Sequence, residues 1–454
     1  MLSSISPADG RLLAEYEETT ESEVLHHIET AAALQRQWET TSLAERAEPM
    51  RRMADLLDAH RDEIALLMTD EMGKPLAQSL AEVDKSAWGC RHYADNAERI
   101  LEPDHIEADR AKSYVAYRPL GVILAVMPWN FPFWQVYRFL APALMGGNGG
   151  LLKHASNVTG SALWIDRLTV EAGFPDGLFR TLVLPSSRVD EVLEHPSVVA
   201  ATLTGSDPAG RAVAQKAGSL LKKTVLELGG SDPYVVLADA DLEKAAETCA
   251  TSRLINGGQS CIAAKRFIVE EAVVDEFTEL LAAGMSKAVM GDPRDPSTTL
   301  GPMARIDLRD ELHRQVERSV EGGARLVIGG EVPSGPGAYY PPTLLADVEK
   351  GMATYHEETF GPVASVIAAK DVEDAIRIAN DSDFGLGAAI FTTDLEKGEA
   401  IARDRLQAGA CFVNAFVASD PRLPFGGIKM SGYGRELSDI GMKEFLNAKT
   451  VVVA

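Results

Sequence analysis

Cysteine is scarce in this chain: four in 454 residues, at Cys90, Cys249, Cys261 and Cys411, with no paired spacing. That excludes a disulfide framework and a cysteine zinc cluster, and it suits a reducing compartment. The nine histidines show no metal-ligand spacing, so no metal site is expected, and His154 and the others read as polar surface or capping residues. Basic residues are outnumbered, 44 Lys and Arg against 67 Asp and Glu, for a formal charge of −23. Without a basic patch, neither a nucleic acid nor an anionic membrane is an expected partner. A small anion is not excluded, because one or two local arginines can capture it against the global field. Long apolar runs are missing too. The most apolar stretch, residues 119–147, is broken by Pro128, Pro132 and Pro142, whereas a membrane helix needs about 20 consecutive apolar residues. It reads as buried strands and turns. The opening "MLSSISPADGRLLAEYEETTESE" has no basic region followed by an apolar one, so no signal peptide is expected and a cytoplasmic location is. The dinucleotide fingerprint G-x-G-x-x-G is absent; such a cofactor must be held by another route.

What the chain does have is length and a regular alternation. At 454 residues it exceeds what one core normally supports, so two or three domains are expected; 46% hydrophobic and 24% charged is an ordinary globular balance. Between residues 21 and 99, as in "HHIETAAALQRQWETT", apolar residues fall at three- and four-residue steps, which predicts amphipathic helices. "GVILAVM" predicts a strand covered on both faces. From residue 150 to about 227, the strand-like "GLLKHAS", "LFRTLVLP", "VVAATLTGS" and "KKTVLELGG" alternate with helical segments. That is the pattern of a doubly wound parallel sheet. The alternation resumes beyond residue 231 with different punctuation, predicting a second α/β domain, and "NAKTVVVA" predicts a terminal strand. No internal repeat, low-complexity tract or long linker interrupts it.

Four short stretches carry chemistry. In "INGGQSCIAAK" a glycine pair precedes Cys261, allowing a close turn that exposes sulfur, although an inert buried thiol is the commoner fate of a cysteine. "PWNFP" fixes Asn130 in a rigid turn among apolar residues. Its amide either satisfies its own turn or is free to bind a developing oxyanion. Glu227 ends a strand before two glycines in "LELGG", as a general base in a cleft or as a solvated strand end. "TLTGSDPAGRAV" ends a strand at Thr204-Gly205, offers Ser206 or Asp207 as a helix cap, and turns the helix N-terminus toward an anion, or is plain connection.

Taken in order, "PWNFP", "LTGS", "LELGG", "NGGQSC", "EETFGPV" and "PFGGIKMSGYGRE" resemble the aldehyde dehydrogenase superfamily over essentially the whole chain. The resemblance implies an α/β architecture. A Rossmann-like cofactor domain would take residues 1–101 and 121–227, and an α/β catalytic domain 228–437. A small β oligomerisation element would take 102–120 and 438–454, its last strand adding to a neighbouring subunit of a homodimer or homotetramer. It also implies roles: Cys261 as nucleophile, Glu227 as general base, and Asn130 with the Cys261 N–H as oxyanion site. Lys153 would bind the adenosine ribose, Trp129 would line the cofactor site, and Gly205 and Ser206 would contact the pyrophosphate. Glu358 and Phe360 would place the nicotinamide ribose and ring. The implied chemistry is thiohemiacetal formation, hydride transfer and thioester hydrolysis, with no metal.

Within that superfamily, "PWNFPFWQVYR", "LLKHA" and "CIAAKRF" resemble bacterial succinate-semialdehyde dehydrogenases. Arg138 matches an arginine that holds a distal carboxylate, which a guanidinium fork suits. Trp134 and Phe425 are expected as pocket walls. Some members carry a second arginine six residues before the nucleophile; here Ile255 stands there and Arg253 is offset. Oxidation of another aldehyde is the first alternative; acyl transfer to coenzyme A is opposed by a water-activating Glu227, and a non-catalytic NAD-binding protein by the intact catalytic set. Ser156 stands where many NAD-specific members place a glutamate that repels a 2′-phosphate, so NAD or NADP is expected.

Overall fold

Two capping boxes start the helical layer predicted for residues 21–99. Thr20 and Ser42 each accept from the backbone N–H three residues on, and Glu23 and Glu45 accept from the cap backbone in return. Behind the caps run Glu21–Trp38, Leu43–Ala59, Arg61–Met72 and the long Leu76–Ile100. In the first helix Val24, Ile28, Ala31, Gln35 and Trp38 are buried, the spacing of a single face. The computed structural model describes residues 1–454.

These helices cover a six-stranded sheet. Lys223–Glu227, Val198–Thr204, Val122–Met127, Gly149–His154 and Phe179–Thr181 lie parallel in that order, and Gly432–Tyr433 joins antiparallel beside Lys223–Glu227. Successive residues of the central strand enter opposite cores. Ile123, Ala125 and Met127 join a 40-residue cluster under the second, third and fourth of these helices, while Val122 and Leu124 join an 18-residue cluster on the other face with Val24, Ile28, Ala31 and Ala32 of the first. Each fully buried aliphatic side chain contributes about 1.5–3 kcal/mol relative to exposure. A one-residue slip would exchange both faces at once, so the register is strongly specified.

The second α/β unit has seven strands in the order Arg325–Ile328, Thr343–Ala346, Val363–Ala369, Arg266–Glu270, Pro233–Val236, Gly387–Phe391 and Ala410–Val413. Only Arg325–Ile328 runs antiparallel to its neighbour. The terminal Leu446–Val453 pairs antiparallel with Lys112–Pro119, which pairs with Asp104–His105. Leu446–Val453 is an edge of that small sheet and is mostly exposed. A hairpin of Leu2–Ile5 and Leu12–Tyr16 had no signal in the sequence pattern.

One expectation needs correcting. Residues 119–147 are not only strands and turns: Trp134–Met145 is a helix in which every residue is buried. Only Gln135 and Arg138 mark a polar side in twelve residues, and Pro128, Pro132 and Pro142 break the stretch into what reads as turns. No helix is long and apolar enough to cross a membrane.

Candidate active site

The loop before Cys261 has a shape that glycine and asparagine suit. Asn256, Gly257 and Gly258 have φ of 55°, 61° and 74°, in the left-handed region that other side chains resist. At Gly258 a Cβ would also collide with the Gly361 carbonyl oxygen. The loop is pinned, not slack. Asn256 N donates to Gln78 Oε1 (2.7 Å), Asn256 Nδ2 to Asn130 O (2.7 Å), and Ala304 N to Gln259 Oε1 (2.9 Å). Fully buried Arg253 donates to Gly258 O. Lys265 Nζ donates to Ser260 O (3.0 Å) and Cys261 O (2.6 Å).

Cys261 lies between two cavities and lines both. One, of about 350 Å³, is mostly apolar and includes Trp134, Arg138, Ile255 and Phe425. The other, of about 240 Å³, includes Trp129, Asn130, Gly205, Ser206, Glu227, Glu358 and Phe360. Burial pushes the Cys261 thiol up to about 12, with Arg138 and Lys265 pulling it back. At neutral pH the sulfur is therefore a thiol until a base takes its proton.

Glu227 is suited to take protons. It ends its strand only 2% exposed, and neither carboxylate oxygen has a hydrogen-bond partner. Burial, and then the nearby Glu436, holds its carboxyl well above the usual range, against the pull of Arg138 and Arg435. A buried acid with a raised pKa in a cleft is the expected form of a general base. Asn130 does not satisfy its own turn: Nδ2 donates to Gln259 O (3.0 Å) in the cysteine loop, which leaves the second amide N–H. Glu358 Oε1 accepts from Gly230 N (2.9 Å) and lies 3.4 Å from Lys265 Nζ. A Cβ at Gly229 would displace the Glu358 carboxylate from this position.

The smaller cavity fits a nicotinamide dinucleotide. Ser206 is the N-cap of the 13-residue helix Asp207–Ser219, yet no side chain caps its first-turn amides, which suits a pyrophosphate. Trp129 and Phe360 meet edge to face at 5.7 Å and 88°, walls appropriate to a flat ring. Thr204 Oγ1 is buried without a partner. Lys153 and Ser156 are not among the residues lining this cavity. Lys153 is buried with Nζ donating to Ser186 Oγ (3.2 Å), and Ser156 is exposed at the start of a turn.

Arg138 reaches the larger cavity but does not stand alone. Its Nε lies 2.7 Å from Glu436 Oε2, both side chains are buried, and the guanidinium sits 4.6 Å from the centre of the Phe425 ring. Ile255 lines the cavity, whereas Arg253 serves the loop. Sequence reasoning assigned nothing to Glu436, Lys265 or Gln259. A signal for Lys265 exists in "CIAAKRFIV", where two cations interrupt an apolar run and so require buried partners. His154 is corrected: it is buried, its Nε2 bonds Pro132 O (2.9 Å), and its Nδ1 accepts from Ala155 N (2.9 Å). It ties a sheet strand to the "PWNFP" turn, and burial draws its pKa down to about 4.

Comparison with known proteins agrees with this geometry. The aldehyde dehydrogenase family matches residues 1–451. The succinate-semialdehyde dehydrogenase (NADP(+)) of Mycobacterium avium (strain 104) is 48% identical over 460 residues, covering 99% of this chain and 96% of its own length. The succinate semialdehyde dehydrogenase (NAD(P)+) of Escherichia coli (strain K12) is 48% identical over 448 residues, covering 99% and 97%. The solved succinic semialdehyde dehydrogenase of Streptococcus pyogenes, in complex with NADP+, superposes with a TM-score of 0.98 at 38% identity, covering all of both chains. Ordered motifs, fold and a thiol between two cavities thus agree with a match along nearly the full length, and the chain belongs to the aldehyde dehydrogenase family.

Proposed function

We propose that this chain oxidises succinate semialdehyde to succinate, with NADP or NAD as hydride acceptor. The observation that carries the reading is the position of Cys261, where a mostly apolar cavity with cationic side chains meets a cavity fitted to a dinucleotide. The names of the full-length relatives support the substrate and the cofactor. The uncharged, exposed Ser156 supports tolerance of a 2′-phosphate.

The chemistry follows from the side chains. Cys261 releases its proton to solvent, the thiolate bonds to the aldehyde carbon, and the carbonyl oxygen becomes an alkoxide stabilised by Asn130 Nδ2 and the Cys261 N–H. A dinucleotide held at the smaller cavity would supply the two-electron acceptor, so that loss of hydride from the alkoxide carbon leaves a thioester on Cys261. Glu227 then takes a proton from water as its oxygen attacks the thioester carbon; the C–S bond breaks, the acid leaves, and the thiolate returns. Trp134, Phe425 and Arg138 shape and bias the substrate end, while Glu358, held by Lys265 and Gly230, orients the ribose. Lys153 would reach the adenosine ribose.

The three-part division belongs to the same proposal: cofactor binding by 1–101 and 121–227, catalysis by 228–437, and oligomerisation by 102–120 and 438–454. The exposed strand Leu446–Val453 supports a homo-oligomer, because an unpaired edge invites a second chain. The acidic, cysteine-poor composition supports a cytoplasmic location. The test is a steady-state aldehyde panel run with each cofactor. Succinate semialdehyde should give the highest kcat/KM; a neutral aldehyde of equal length that matches it would defeat the substrate assignment.

A further inference from the structure

The larger cavity holds more charge than its apolar walls suggest. Glu82, Lys85 and Arg138 all line it, and their partners differ. Arg138 has a counter-ion in Glu436, whose Oε2 lies 2.7 Å from Nε, although its buried Nη2 has no hydrogen-bond partner. Glu82 is engaged inside the protein: it pairs with the buried Lys74 and accepts from the N–H groups of Phe133 (2.8 Å) and Trp134 (3.0 Å). Asp420, another acid near Lys85, is held by Arg422 through both oxygens (2.9 and 2.6 Å). Lys85 has no carboxylate partner. Its Nζ donates to Ser419 Oγ (2.9 Å) and sits 4.7 Å from the centre of the Trp134 ring. Ser419 Oγ also accepts from Trp134 Nε1 (3.0 Å), so the hydroxyl, the indole and the ammonium hold one another in place.

Lys85 is thus a cation with no carboxylate at ion-pair distance, in a wall that also contains Cys261. Burial first, and the neighbouring Arg138 second, draw its pKa down to about 8 against the weaker, more distant pull of Glu82 and Asp420. A charge kept without a counter-ion in a partly desolvated site gains more from an arriving anion than one that already has a partner. One ammonium hydrogen is used by Ser419, leaving two. Spaced three residues apart, Glu82 and Lys85 share a face of the helix Leu76–Ile100. One turn of that helix therefore fixes the Phe133–Trp134 backbone and delivers the cation.

We infer that Lys85 is the principal receptor for the carboxylate of an ω-carboxylated aldehyde whose carbonyl lies at Cys261, with Arg138 as an ion-paired neighbour. This rests on the reading above that the substrate carries a distal carboxylate. The test compares kcat/KM for succinate semialdehyde with that for butanal, the same four-carbon chain without the carboxylate, in the wild type, Lys85→Met and Lys85→Arg. Lys85→Met should lower kcat/KM for the semialdehyde by about 10- to 100-fold, chiefly through KM, with butanal changed by no more than about twofold. Lys85→Arg should recover most of the loss. Succinate as a competitor against butanal should weaken by a similar factor in Lys85→Met. Equal losses for both substrates, or an unchanged semialdehyde preference, would overturn the assignment. If the wild type itself shows no preference for the semialdehyde, the substrate reading fails; if it does and Lys85→Met keeps it, only the role of Lys85 fails.

Discussion

The two cavities that meet at Cys261 are built by different means. On the Glu227 side, polar groups come from strand ends and tight turns: the Glu227 carboxylate, the Gly205-Ser206 turn, and Glu358 seated on Gly230 N. On the Trp134 side, the walls are apolar and the charges come from two helices, Leu76–Ile100 with Lys85 and Trp134–Met145 with Arg138. Groups fixed by a sheet and its turns suit reacting atoms, where an error of an ångström is costly. Side chains on helices can be exchanged without moving the nucleophile, which suits choice of substrate. Within one family fold, the first set would then govern kcat and the second the ranking of aldehydes.

Removing the shared point should have the largest effect. Cys261→Ala should cut turnover by about a thousandfold or more, because Cys261 is the one thiol lining either cavity. NADPH binding, followed by fluorescence, should stay within about threefold, since the groups proposed for the phosphates and ring, the helix start at Ser206 and the Trp129–Phe360 walls, are left in place. Turnover surviving at a tenth of the wild-type rate would end the idea that the two cavities serve one thiol.

Glu227→Gln should separate the two halves of the reaction. A single turnover should still release about one equivalent of reduced cofactor, while steady-state kcat falls by about 10²- to 10⁴-fold as the thioester waits for water. The pH dependence has a definite sign. Burial and Glu436 disfavour the Glu227 carboxylate and raise its pKa, so the basic form grows as pH rises. Deacylation-limited kcat should therefore climb with pH along a limb displaced upward from that of an ordinary glutamate. That limb should vanish in Glu227→Gln; its persistence would move the base elsewhere.

The same comparison explains what sequence reading could and could not reach. Parallel strands alternate with helices between residues 150 and 227 in full view, since each helix shows a polar face and each strand is a short apolar run. Cys261, Asn130 and Glu227 stand in or beside stretches punctuated by glycine and proline, which leave their roles open; the ordered motifs' resemblance to a family supplies those roles, and that of Glu358. The Trp134–Met145 helix is hidden because only Gln135 and Arg138 mark a polar side in it. Glu436 follows "SGYGR" without any local sign that its carboxylate faces Arg138, a partner that only folding brings within reach. Lys85 lies in a helix whose pattern explains it as an ordinary polar position; its cavity, and the lack of a counter-ion, exist only in three dimensions.

The smallest expected effect sharpens the comparison from its outer rim. Ser156 is exposed at the beginning of the turn Ser156–Val158, directly after the strand that carries Lys153. Ser156→Glu would add a carboxylate without touching either cavity. Near a 2′-phosphate, like charges at a solvent-exposed site cost about 1–2 kcal/mol, so kcat/KM for NADP should drop about 5- to 30-fold through KM, and less at high salt. NAD has no 2′-phosphate to repel, so its kcat/KM should hold or rise a few-fold as the new carboxylate accepts from the ribose hydroxyls. The ratio of succinate semialdehyde to butanal should not move, because Ser156 lies outside the larger cavity. Equal losses with both cofactors would mean the turn matters for folding and not for charge. A shift in aldehyde preference would mean that the two sides of Cys261 are not separable after all.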